Sequence, residues 1–179
     1  MRGVRDRRRR FLDVFTRPLG KIHDARLFRM SDIGAELPGI CAGDRYHLLG
    51  DAAYPLREYL LTPFHDSGCL SEEQARFNAK LSKTRVLIEN AFALLKQRFC
   101  QLRYLEFWHV LKMSKFIVAG CVLHNLCIDA GDEEMENDYE HRVEGVGATL
   151  PYYEPIRDVH LRALGQVKRN KVMEMLLRM

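Results

Sequence analysis

A chain of 179 residues, 47% of them hydrophobic, is long enough to bury a sizeable core, and one domain is the natural prior. Cys41, Cys69, Cys100, Cys121 and Cys127 form an odd set without paired spacing, which argues against a disulfide framework and for reduced thiols inside a cell. The arginine-rich start is unlike a secretory leader, and the longest apolar runs read as too short to span a bilayer.

The net charge of +4 hides an asymmetry. Residues 1–30 hold ten Arg/Lys against three Asp, and residues 76–115 hold nine against two Glu. Residues 129–144 hold eight Asp/Glu against one Arg. Basic blocks of this kind suit a polyanion such as DNA. Cations that merely solvate helix faces give the same composition.

The first element is RDRRRR, residues 5–10. It reads either as a tract for nuclear import or phosphate contacts, or as an arginine-rich hairpin turn. FLDVFT, residues 11–16, is rich in β-formers and predicts a strand. Pro18-Leu19-Gly20 breaks it. The following HDARLFRM predicts a short helix with Asp24 near its start, where an aspartate ordinarily caps backbone N–H groups. Residues from Pro38-Gly39 to Asp44 read as a loop.

Tyr46 to Leu49 predicts an apolar strand ending in Gly50-Asp51. On the residues alone, Asp51 is either turn chemistry or a carboxylate at a strand end, where α/β folds place their sites. Residues 55–70 read as a crossover, with Leu60, Leu61 and Phe64 packed under it. Ser71-Glu72-Glu73-Gln74 is a capping box. A long helical pattern follows to about Gln101, with Ile88, Ala91, Phe92, Leu95, Phe99 and Leu102 as its core face. Arg85, Glu89 and Lys96 form a separate stripe. Taken alone, Arg85 and Glu89 are most simply an i,i+4 ion pair.

Residues 109–128 are apolar all round and predict a buried helix. Cys121, His124 and Cys127 on one helix lack the paired-loop spacing of structural zinc, so His124 reads as a core histidine and the cysteines as fillers. Residues 129–149 read as an exposed acidic linker. Residues 156–179 predict an amphipathic helix with Val159, Leu161, Leu164, Val167, Val172, Met175 and Leu176 as its apolar face.

Several of these stretches point to one family. HDARLFRMSDIG at 23–34, YHLLGDAAYPLREYLLTPF at 46–64, Phe77-Asn78, TRVLIENAFALLKQRF at 84–99 and CVLHNLC at 121–127 stand in that order. They resemble the DDE nuclease domain of the Harbinger transposase-derived nucleases, from about Arg5 to Cys127. The resemblance implies an RNase H-like α/β fold, with a central mixed sheet flanked by helices. It implies a divalent metal cation, Mg²⁺ or alternatively Mn²⁺, and cleavage of DNA phosphodiester bonds. It makes Asp51 and Glu89 catalytic metal-binding acids and Asp24 an accessory metal ligand. It makes Arg85 and Lys96 phosphate contacts, and within the two basic blocks Arg98, Arg8 and Arg9 are further expected DNA contacts. It further implies a nuclear location, with cytoplasm as an additional one, and a separate Myb-like DNA-binding partner; no membrane is expected.

The family's first acid belongs to an Asp-Gly-Thr-His-like block upstream of HDARLF, which these 179 residues do not contain. Asp6 and Asp13 lie outside that block and do not replace it. The expectation is therefore an incomplete RNase H-like fold, its first strand or two missing, with a helix-rich C-terminal half. Residues 1–128 would be a partial endonuclease domain, 129–150 an acidic flexible linker and 151–179 a C-terminal amphipathic helix. The expected function is a truncated metal-dependent nuclease of little or no activity. The alternative is a non-catalytic DNA- or protein-binding remnant.

Overall fold

The computed structural model describes residues 2–16, 24–43, 46–104, 109–132 and 158–178. The chain divides into two compact units, residues 1–21 with 86–145 and residues 22–85 with 146–179. The expected linker centre and the approach to the last helix, residues 133–157, lie outside the described residues, as does Phe107-Trp108.

In the first unit, β1 (Arg2–Arg5) pairs antiparallel with β2 (Phe11–Phe15). Asp6 to Arg10, the rest of RDRRRR after Arg5, is the turn between them. Asp6 closes it: its Oδ1 accepts the Arg8 and Arg10 N–H groups at 2.8 and 3.0 Å, and its own N–H donates to the Arg10 carbonyl. Asp13 forms an ion pair with buried Arg2 at 2.5 Å. Both aspartates thus have structural roles. The unit's core is Phe11, Ala91, Leu95 and Cys121, with Ile88, Phe92, Phe99 and Leu102 against it. This is the face that the helical periodicity predicts.

α3 (Glu72–Arg98) supplies that face and ends in a 3₁₀ turn, Cys100–Arg103. α4 (Val110–Asp129) buries Gly120, Cys121, His124 and Ile128. Two expectations need correction here. α4 is not buried all round, because Leu111, Val118, Val122 and Leu126 are exposed. It is also long and apolar enough, by length and composition only, to cross a membrane. The apolar run is broken in sequence by Lys112, Lys115 and His124, which a reading of uninterrupted runs overlooks. A core helix passes the same test, and one side of α4 is a core face.

In the second unit, α1 (Asp24–Arg29) and α2 (Asp32–Ile40) meet at Ser31. The Ser31 hydroxyl donates to the Phe28 carbonyl at 2.6 Å and accepts the Gly34 N–H at 3.3 Å. α2 continues through Pro38 and Gly39, where a loop was expected. Its last turn is held by buried Leu37, whose carbonyl accepts the Cys41 N–H at 2.8 Å. A proline removes one helical bond, and packing of the same turn offsets that loss. β3 (Leu48–Leu49) pairs parallel with β4 (Leu60–Leu61). Phe28, Leu37 and Leu60 form the core, with Ile33, Leu48 and Tyr54 packed on it.

The capping box forms as read. The Gln74 N–H donates to Ser71 Oγ at 3.2 Å, and the Ser71 N–H donates to Gln74 Oε1 at 3.1 Å. α3 runs on through Asn78. Asn78 holds the crossover, accepting the Phe64 N–H at 2.8 Å and donating to the Phe64 carbonyl at 3.0 Å.

α5 (Val159–Leu177) forms, but packs by a different side from the one expected. Val159, Leu161, Leu164, Val167 and Met175 are exposed, whereas Gly165 and Lys168 are buried. A Cβ at Gly165 would lie 2.9 Å from the Arg57 backbone, so only glycine permits this approach. Arg57 is buried and pairs with Asp158 at 3.0 Å. Arg169 stacks 3.8 Å over the Phe64 ring and donates to the Thr62 and Pro63 carbonyls. Specific polar anchors set the contact face here, and an apolar count does not see them. Among the described residues the strands form two separate two-stranded ladders.

Candidate functional site

Asp51 lies two residues beyond β3, at the strand end where the sequence places it. Gly50 donates its N–H to the Leu61 carbonyl at 2.9 Å, which extends the ladder and fixes the start of the turn. Asp51 Oδ1 then accepts the Ala53 N–H at 2.8 Å, an Asx turn. Its Oδ2 accepts from the Arg85 guanidinium at 3.1 Å. Both side chains of this pair are about one-quarter exposed, 24% and 25%. Asp51 and Arg85, predicted as metal ligand and DNA contact, are thus brought together in one unit.

Glu89 is exposed on α3 and falls in the other unit, since the division passes between Arg85 and Val86. Asp24 is the first residue of α1, and its side chain lies outside the described residues. Lys96 is exposed on α3, and its carbonyl accepts from Arg103 Nε at 3.3 Å.

DDE nucleases generally use divalent metals. Among the described residues, no group of three His, Cys, Asp or Glu side chains could hold a metal ion. Each oxygen of Asp51 already has a protein donor. A guanidinium neutralises the Asp51 carboxylate where the resemblance expects a cation, so Mg²⁺, which keeps a near-ideal octahedral shell of oxygens, would have to displace Arg85 from it.

Arg8, Arg9 and Arg98, predicted as DNA contacts, are brought together in the first unit around one cavity. Arg7, part of the tract read as a candidate for phosphate contacts, shares it, as do Asp132 and His124, which the sequence reading did not connect with it. The available signal was Asp6 within an arginine run, the residue that closes the turn. His124 is fully buried at 0% exposure. Its Nδ1 contacts the Arg98 guanidinium at 3.1 Å, and its Nε2 contacts the Arg9 carbonyl at 3.2 Å. Arginine only donates and a carbonyl only accepts, so the hydrogen sits on Nε2 and the ring is neutral. Burial pushes the His124 pKa down, and the nearby Arg98 charge adds to that, against the opposing bond to Arg9.

Residues 2–125 match the DDE superfamily endonuclease family, and the chain belongs to it. It is 30% identical over 159 residues to the Antagonist of Like Heterochromatin Protein 1 of Arabidopsis thaliana, covering 76% of this chain and 38% of that protein. It is 30% identical over 156 residues to the candidate nuclease HARBI1 of Homo sapiens, covering 77% of this chain and 43% of that protein. Both relatives are of the Harbinger transposase-derived kind, so the family resemblance is borne out over most of the chain. The chain spans less than half the length of these relatives. No solved structure matches it.

Proposed function

We propose that this chain is a transposase-derived domain of the metal-dependent nuclease lineage, directed at DNA phosphodiester bonds. Asp51, Glu89 and Asp24 are its metal-directed acids, Asp51 and Glu89 the catalytic pair. Arg85, Lys96, Arg98, Arg8 and Arg9 are its DNA contacts. In this reading the lineage's fold is RNase H-like, its cation Mg²⁺ or Mn²⁺, its location nuclear, and its partner a Myb-like DNA-binding protein. Residues 1–128 correspond to endonuclease domain, 129–150 to an acidic connection and 151–179 to a terminal helix. The observation that carries the lineage is Asp51 at the end of β3, within a match to the endonuclease family over residues 2–125.

A second reading, DNA binding without cleavage, is favoured by one specific observation: both Asp51 oxygens are engaged, by Ala53 and Arg85. Cleavage by the two-metal route needs carboxylates open to the ions. For the 179-residue chain we take this second reading as the working state. The test is nicking of supercoiled plasmid in Mg²⁺ or Mn²⁺, beside an Asp51→Ala/Glu89→Ala control, with DNA retention measured on the same samples. The expected result is DNA retention that weakens steeply between about 50 and 200 mM salt, as counterion release requires. Nicking should stay at the level of the control. Robust nicking that the double substitution abolishes would overturn the binding-only state and leave the nuclease lineage standing. Absence of DNA retention at low salt would sink both.

A further inference from the structure

The cavity in the first unit has a volume of about 360 Å³ and contains neither Asp51 nor Glu89. Arg7, Arg8, Arg9 and Arg98 line it, against one carboxylate, that of Asp132. Leu94 and Ile128 contribute apolar wall, which lowers the local dielectric and strengthens any charge interaction inside.

The arginines are placed by structure and are not a random charge run. The turn that presents Arg7 to Arg9 is tied by Asp6, which accepts the Arg8 and Arg10 N–H groups. Arg9 itself has φ +67°, the left-handed region. A side chain there costs about 1–2 kcal/mol, and glycine avoids the cost. The turn as a turn would therefore be better served by glycine. What Arg9 adds is its guanidinium.

The back wall is equally determined. Arg98 has a side chain only 8% exposed and lies 3.4 Å from the Asp132 carboxylate. It also donates to the Asp132 carbonyl. His124 ties this wall to the turn, contacting Arg98 through Nδ1 and the Arg9 carbonyl through Nε2. Because the imidazole is neutral, it orients Arg98 without adding or removing charge. The result is several guanidinium forks around one polar hollow, with a net positive charge. Planar guanidiniums match the oxygens of a phosphate, frequently two at a time.

We propose that this cavity is a phosphate-group site, taking a backbone phosphate of a nucleic-acid strand. The inference rests on the DNA-directed reading only for the source of the phosphate. The decisive variant is Arg9→Gly, which removes the guanidinium and suits the backbone, so folding is kept. An Arg7→Gln/Arg8→Gln variant supplies a second test at exposed positions. Lys112→Gln, an exposed change on α4, is the control for lost charge.

The experiment measures binding of a labelled single-stranded oligonucleotide, and separately of inorganic pyrophosphate, to the full 179-residue chain. The expected result for Arg9→Gly is about a tenfold loss for both probes, the worth of a charge-assisted hydrogen bond. Its melting temperature should be equal to or above that of the parent. Lys112→Gln should change affinity by no more than about twofold, as one diffuse charge would. Equal losses in Arg9→Gly, the double variant and Lys112→Gln would overturn the site in favour of diffuse charge. A loss for pyrophosphate with unchanged oligonucleotide binding would overturn the nucleic-acid source.

Discussion

Asn125 of α4 holds both backbone groups of Phe11 at the start of β2, accepting its N–H and donating to its carbonyl, each at 2.8 Å. Asn78 of α3 holds Phe64 in the same way in the second unit. A carboxamide is the side chain that offers a donor and an acceptor side by side, which matches one residue's N–H and C=O. Asn125 therefore registers α4 against the hairpin, and places His124 beside Phe11, 5.4 Å between ring centroids. Asn125→Ala leaves two backbone groups without these partners and should lower stability by about 1–3 kcal/mol. Thermal melting checks it. A melting temperature unchanged from the parent would show that the hairpin is registered by its apolar contacts alone.

The buried imidazole gives the fold a pH dependence with a definite sign. The His124 pKa is lowered from its ordinary 6.5. Between the two values the unfolded chain binds the proton and the folded chain does not. Stability is therefore full above the unfolded value and is lost as pH falls toward the folded one. The slope contributed by this group is at most about 1.4 kcal/mol per pH unit. Melting curves from pH 7.5 downward should show this loss, and His124→Gln should flatten the slope around and below pH 6.5. Equal slopes in both proteins would assign the acid sensitivity to the carboxylates.

All five cysteines are free thiols, but their surroundings differ. Cys69 and Cys100 are exposed, and Cys121 is buried in the core of the first unit. Burial pushes the Cys121 pKa up to about 11. The thiolate is the nucleophile, so Cys69 and Cys100 should be alkylated first at mildly alkaline pH. Cys121 should react only under denaturing conditions. Mapping the modified positions by mass spectrometry is the measurement. Early labelling of Cys121 in native buffer would mean that the face of α4 against Phe11 and Leu95 opens readily.

Local signals accounted for much of the secondary structure. The α3 core face, the Ser71–Gln74 capping box and the β2 strand depend on residues within a few positions of one another, so their geometry is written in the spacing. The same holds for Asp51 at a strand end. The family was legible because its motifs are short and stand in order. Tertiary structure decided what each element meets. Arg85 meets Asp51, 34 positions away, a contact that no i,i+4 rule anticipates. α5 turns Gly165, Lys168 and Arg169 to its neighbours because the Arg57 backbone approaches and the Phe64 ring lies under a guanidinium. α4 leaves an apolar side exposed because packing on the β1–β2 hairpin and α3 uses the side of Gly120, Cys121, His124 and Ile128. Hydrophobic periodicity reports that a helix can be buried. Which side is buried depends on steric fit and on paired polar groups contributed by distant parts of the chain.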